Sequence, residues 1–241
     1  MAFPEVGTRE QWLEARTRLL EQEKKATRER DALNAERRRL PMVLVDKEYL
    51  LEGRDGRVPL SGLFGDSGQL IIQHVMSGPD WDAACPGCSA GIEEISDGML
   101  SHLRSRDTNF VLVSRAPQDK LEKHRAAKGW TIPWYSSYGS DFNYDFQATV
   151  TRDRQPVTYN YREEPGMLGE NDDSTEVPGV SCFLRDGDQV FHTYSTWARG
   201  TDTLGSSYSL LDLTAFGRSE EWEEPKGRAP RLHGADPTFT D

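Results

Sequence analysis

The sequence predicts an α/β protein with a mixed central sheet, extended at its N-terminus by one long charged helix. Three observations carry the prediction. Between residues 70 and 135, short apolar runs alternate with stretches of helical spacing in the order strand, helix, strand, helix, strand. Strands joined that way pair in parallel, with right-handed crossovers packed on the sheet. Further on, two apolar runs flank Asp186-Gly187-Asp188 as the arms of a β-hairpin would. Ahead of both, neither Gly nor Pro interrupts residues 8–40.

That first stretch reads as a single helix. Thr8 is a capping residue, and Gln11 three positions on completes a capping box. Trp12, Leu19, Ala26, Leu33 and Leu40 recur at seven-residue intervals among charged neighbours. Such a narrow stripe suits a helix laid on its parent domain, or one pairing two copies of the chain into a homodimer. Arg37-Arg38-Arg39 sits at the end where the helix dipole favours cations, so it is not read as a nucleic-acid patch.

Residues 42–68 read as a small hairpin region punctuated by Glu52-Gly53 and Asp55-Gly56. A short buried strand follows at 70–75. Residues 89–104 have helical spacing, with Ile92, Ile95, Met99, Leu100 and Leu103 on one face. Residues 110–113 form a strand and 117–128 a helix, opened by Pro117 and closed by Gly129. A third strand is expected at 132–135. Residues 140–175 read as an insertion of weak structure, with the aromatic string Phe142, Tyr144 and Phe146 and then an acidic loop. The hairpin arms are 180–184 and 190–194, and a last helix is expected at 203–213. The domain reading is a charged helical extension at 1–41, a core domain at 42–216 with its acidic insertion at about 150–176, and a polar tail at 217–241.

Composition narrows the function classes. The chain has 241 residues, of which 36% are hydrophobic and 29% charged, with six Trp, eight Tyr and nine Phe to fill a core. One core with an appendage is the expected organisation. A net charge of −11 argues against nucleic acid as a partner, because phosphate binding depends on cationic surface. No run approaches the ~20 apolar residues that span a bilayer. The N-terminus lacks a basic start followed by an apolar run, so no secretory signal is read and a reducing cytoplasm is the expected setting. Three cysteines, an odd number, do not suit a secreted disulfide framework.

Two of those cysteines make the principal motif. Cys85-Pro86-Gly87-Cys88 lies after a strand and at the start of a helix. Helix N-terminal N–H groups and the macrodipole favour a thiolate there, and the two-residue spacer brings the second sulfur within bonding reach. Cys85 precedes the first turn and is the expected nucleophile, with Cys88 resolving the mixed disulfide. A structural zinc site wants four ligands, but Cys182 has no near partner and His74, His102, His124, His192 and His233 are scattered. No metal is expected. Val177-Pro178-Gly179 opens the hairpin; alone, Pro178 reads as an ordinary turn or strand-start proline, but beside the dithiol its likeness to thioredoxin-like proteins reads it as a cis proline lining the site.

The sequence resembles a family catalogued as domain-of-unknown-function family 899, the predicted dithiol–disulfide oxidoreductases of thioredoxin-like fold. The resemblance is carried by Gly78-Pro79-Asp80-Trp81 with Cys85-Pro86-Gly87-Cys88-Ser89, by Val113-Ser114-Arg115-Ala116-Pro117, by Gly139-Ser140-Asp141-Phe142-Asn143-Tyr144-Asp145-Phe146, and by His192-Thr193-Tyr194-Ser195-Thr196. It covers nearly the whole chain outside the acidic insertion and the tail. It implies a three-layer α/β/α thioredoxin-like fold and thiol redox chemistry, without naming a substrate. Partners would be protein or small-molecule thiols and disulfides, and no cofactor is implied.

Around the dithiol, Trp81, Pro86, Gly87, Val177 and Pro178 are the expected substrate-binding residues. His74 is read either as a proton-transfer group for Cys88 or as a core histidine. Asp141 and Asp145 are read as capping and packing residues, Arg115 as a surface ion pair or a thiolate stabiliser, and Cys182 as a small buried hydrophobe. Two other functions compete with the oxidoreductase. A thiol peroxidase of the peroxiredoxin type would carry a Thr or Ser before its cysteine, and residues 79–84 have none. A non-enzymatic adaptor would use the charged helix and acidic surface instead.

Overall fold

The computed structural model describes residues 4–216, 218–227 and 232, so the tail expected at 217–241 lies partly outside the described residues. Contacts divide the chain into two units: the N-terminal segment up to Pro41 with the chain from Leu211, and a unit at Met42–Leu210. In the first, helix α1 (Arg9–Arg37) starts with a complete capping box. The Thr8 hydroxyl accepts from Gln11 N, and the Gln11 side chain accepts from Thr8 N. None of its side chains is buried, and Trp12, Leu19 and Leu33 are each about half exposed.

The second unit begins with β1 (Val43–Leu44), β2 (Leu50–Gly53), β3 (Gly56–Pro59), a 3-10 turn at Leu60–Phe64, and β4 (Gln69–His74). Next come α2 (Pro86–Glu93), α3 (Asp97–Arg104), β5 (Thr108–Ser114), α4 (Gln118–Lys128) and β6 (Trp134–Ser136). Then follow α5 (Phe142–Asp145), β7 (Thr149–Thr151), β8 (Thr158–Tyr159), β9 (Arg162–Glu163) and β10 (Ser174–Glu176). The series closes with β11 (Gly179–Asp186), β12 (Gln189–Trp197) and α6 (Ser207–Leu211). Eight strands form one sheet in the order β1-β12-β11-β4-β5-β6-β2-β3. Helical crossovers make β4, β5 and β6 parallel, whereas the β11–β12 hairpin lies antiparallel beside β4. Gly187, at φ 57°, turns that hairpin. This is a thioredoxin-like fold.

Side-chain alternation along the central strands divides the core. On one face Leu70, Ile72, Val111 and Val113 pack with Phe64, Phe142 and Phe183. On the other, Phe110, Leu112, Val75 and Trp134 of β6 pack with Cys88, Ile92, Leu100 and Leu121 from α2–α4. Each fully buried side chain of this size contributes about 1.5–3 kcal/mol of transfer free energy.

Three expectations change. The single helix at 89–104 is two helices, because Ser96 restarts the chain as an N-cap, its hydroxyl accepting from Met99 N at 3.1 Å. The insertion holds regular structure: β7 pairs with β10 from Thr151–Ser174 to Thr149–Glu176, and Val150, Val157, Leu168, Val177 and Trp197 form a cluster of their own. The last helix is confined to Ser207–Leu211.

Candidate active site

The dithiol is built by the way β4 hands over to α2. After His74 the chain is tied to the end of β5: Val75 O accepts from Ser114 Oγ at 2.6 Å, and Ser77 O accepts from Ala116 N at 2.8 Å. Cys85 N then donates back to Met76 O at 2.9 Å, which brings the chain round to start α2. Cys85 is the N-cap, with extended backbone at φ −52° and ψ 130°. Pro86 follows at the first helical position, where its fixed φ is compatible and its missing N–H is not needed. Cys85 is half-buried and Cys88 buried, one turn into the helix. The less buried cysteine is therefore the one at the positive end of the helix, and the second is packed in the cluster of Val75, Ala84 and Ile92. Pro86 is exposed and Gly87 half-buried. Trp81 folds back over its own loop, so closely that a Cβ at Gly78 would lie 3.0 Å from Trp81 Cδ1.

His74 departs from its proton-transfer reading. It shares the face of β4 with Leu70 and Ile72 and packs on Phe142, ring centroids 5.9 Å apart, whereas Cys88 packs on the opposite face. Its Nε2 meets Ser181 Oγ at 2.8 Å, Ser181 Oγ meets Ser195 Oγ at 2.8 Å, and Ser195 Oγ meets His192 Nε2 at 2.7 Å. Burial, with His192 nearby, pushes the His74 pKa down to about 3, so the imidazole is neutral at working pH. Burial likewise lowers His192. The core-histidine alternative fits this buried chain.

The Pro178 expectation also changes. The cis X–Pro bonds among the described residues are Gln155–Pro156 and Glu224–Pro225, and Val177–Pro178 is trans. A trans bond keeps the chain extended from β10 into β11: Val177 N donates to Ala148 O, and Gly179 already pairs with His74. The Val177 side chain lies in the Trp197 cluster rather than in the core that holds Cys88.

The polar groups that sequence reasoning underrated lie just beyond β5. Arg115 donates from Nε to Glu176 Oε1 at 2.6 Å, from Nη1 to Tyr144 Oη at 3.0 Å and from Nη2 to Ser174 Oγ at 3.3 Å. The second Glu176 oxygen accepts from Thr149 at 2.7 Å. Burial raises the Glu176 pKa, and Arg115 only partly opposes it. Arg115 is thus committed to an internal ion pair. Asp141 and Asp145 form ion pairs rather than caps: Lys47 donates to both at 2.6 and 2.7 Å, Arg154 reaches both, and Tyr49 Oη donates to Asp145 at 2.7 Å.

Burial alone would raise the Asp145 carboxyl, but the hydrogen bonds from Lys47, Tyr49 and Arg154 outweigh it and hold it below its ordinary 3.8. A depressed carboxyl stabilises the fold above its unfolded value and loses that contribution as pH falls through the folded one. Asp145→Asn is therefore expected to cost about 1 kcal/mol at pH 7, given partial solvent screening. Urea unfolding of the two proteins should converge below the carboxylate range; a gap that persists in acid would contradict the assignment.

Fold and site together define a thioredoxin-fold protein with a CxxC pair at the head of a helix. The family model described as a bacterial protein of unknown function (DUF899) matches residues 1–234, and the chain belongs to that family. Among solved structures, the chain is similar to a cysteine mutant of PrxQ from Xylella fastidiosa, at 12% identity and a TM-score of 0.43, over 68% of this chain and 91% of that one. It is also similar to a cysteine mutant of peroxiredoxin Q from Xanthomonas campestris, at 14% identity and a TM-score of 0.41, over 65% of this chain and 87% of that one. No curated protein matches. Among the described residues, no helix is long and apolar enough to cross a membrane.

Proposed function

We propose that the protein is a thiol–disulfide oxidoreductase in which Cys85 attacks and Cys88 resolves. The carrying observation is the asymmetry of the pair: Cys85 is the half-buried N-cap of α2, and Cys88 is buried one turn later. The Cys85 thiolate attacks one sulfur of a substrate disulfide, forming a mixed disulfide and expelling the first substrate thiolate. The Cys88 thiolate then attacks Cys85 Sγ, forming the Cys85–Cys88 disulfide and releasing the second. Two electrons pass from the dithiol to the substrate, and the reverse sequence oxidises a substrate dithiol. Trp81, Pro86 and Gly87 surround Cys85 in this reading, and Val177-Pro178 leads into the strand beside β4. The working setting is a reducing cytoplasm, where small thiols return the pair to the dithiol.

Insulin-disulfide reduction and peroxide consumption, run in parallel, test the proposal. The wild type should reduce insulin, and Cys85→Ser should fall to the uncatalysed rate. Cys88→Ser should stall as a mixed disulfide, visible as an adduct by mass spectrometry. Peroxide consumption with no insulin reduction would replace this reading with a thiol peroxidase. Activity that survives the double Cys→Ser change would remove the dithiol from the chemistry.

A further inference from the structure

The loop between β4 and the dithiol carries a strap from another helix. Gly78 to Trp81 makes a tight turn, with Trp81 N donating to Gly78 O at 3.2 Å and the indole laid against Gly78. Lys120 reaches this turn from α4. Its Nζ donates to Pro79 O at 2.7 Å and to Trp81 O at 3.2 Å. The position is unusual for a lysine, because Lys120 lies in the first turn of α4, where the positive end of the helix dipole disfavours a cation. Two carbonyl oxygens converging on the ammonium account for its place there. The geometry has a topological origin: α2 and α4 both start at the C-terminal ends of parallel neighbours, β4 and β5, so the head of one helix lies beside the loop that feeds the other.

We infer that Lys120 is a positioning residue for the dithiol, holding the Gly78–Trp81 turn so that Cys85 stays seated as the N-cap of α2. The neighbouring ties act at Val75, Met76 and Ser77, upstream of the turn, and come from Ser114 Oγ, Cys85 N and Ala116 N. Lys120 holds the part of the loop downstream of those ties. Without it, residues 79–84 have more freedom, and Cys85 is held less firmly at the positive end of the α2 dipole, which favours its thiolate. The strap lies outside the core, since Lys120 is exposed.

The inference rests on Cys85 as the attacking thiol, and the test reads that thiol directly as well as through a substrate. Iodoacetamide alkylation of Cys85 is followed against pH in the full chain, as wild type, Lys120→Met and Lys120→Arg, with insulin reduction assayed beside it. Lys120→Met should shift the alkylation profile to higher pH and slow modification at pH 7 about tenfold, the equivalent of one unit. Lys120→Arg keeps a donor and should restore most of the rate, and the melting temperature should stay close to wild type in both. A Lys120→Met profile that coincides with wild type overturns the strap, whatever the insulin assay shows. A shifted profile in a protein that fails to reduce insulin keeps the strap and removes the oxidoreductase reading.

Discussion

Arg115→Met is expected to cost about 3–5 kcal/mol of stability at pH 8, the loss typical of breaking a buried ion pair from one side. Glu176 is only 2% exposed at its side chain and Arg115 18%. Removing the guanidinium leaves a desolvated carboxylate held by Thr149 and Asn143, and Tyr144 and Ser174 lose a shared donor. The group responds by taking up a proton. Its pKa is already raised by burial in the native protein and should rise further in the variant. A carboxyl whose folded value lies above its unfolded one favours the fold at low pH and loses that contribution as pH rises through the folded value. The penalty of Arg115→Met should therefore be smaller at pH 5 than at pH 8. Urea unfolding at both values measures it, and a loss below about 1 kcal/mol at pH 8 would show that the pair is solvated. The double variant Arg115→Met/Glu176→Leu should recover much of the loss, because removing both charges also removes the desolvation cost.

That ion pair marks where the sequence stops being readable. Thr8 and Gln11 announce the start of α1, and Gly129, at φ 67°, the end of α4, because each signal and its partner lie within one helical turn. The dithiol is legible for the same reason: Cys85, Pro86 and the first turn of α2 are contiguous. Arg115 and Glu176 are 61 positions apart, and no local pattern links a residue after a strand to one in an acidic loop. The orientation of His74 was hidden differently. Leu70, Ile71 and Ile72 are all apolar because β4 lies in the middle of the sheet and packs on both faces. A strand buried on both sides shows no alternation, so which of its residues face the dithiol is decided only by its neighbours. Pro178 hid its isomer, since cis and trans proline look alike in one sequence and only the continuation of β10 into β11 distinguishes them. The break between α2 and α3 was available: Ser96-Asp97-Gly98 carries a capping signal that broad amphipathic spacing had masked.

Cys182 should be the last of the three cysteines to react. It lies in β11 between Ile71 of β4 and Tyr194 of β12, on the face of the sheet that Ile71 shares with the Cys88 core. Burial pushes its thiol up from 9.0 to about 11. Only the thiolate is alkylated, so two units make it about 100-fold less reactive at pH 7 than an ordinary thiol, before any loss of access is counted. Cys85 is half-buried as Cys182 is, but it sits at a helix N-terminus, where the dipole favours the thiolate. Brief iodoacetamide treatment of the native protein at pH 7, followed by peptide mass spectrometry, should label Cys85 first and leave Cys182 unmodified until urea exposes it. The order has a mechanistic consequence. In the proposed mechanism, a thiol with so raised a pKa would attack a Cys85–Cys88 disulfide slowly, which argues against Cys182 as a third member of an electron relay. Native labelling of Cys182 at a rate near that of Cys85 would contradict its raised pKa and return it to the proposed chemistry; labelling confined to the unfolded chain would leave the proposed redox work to the pair at the head of α2.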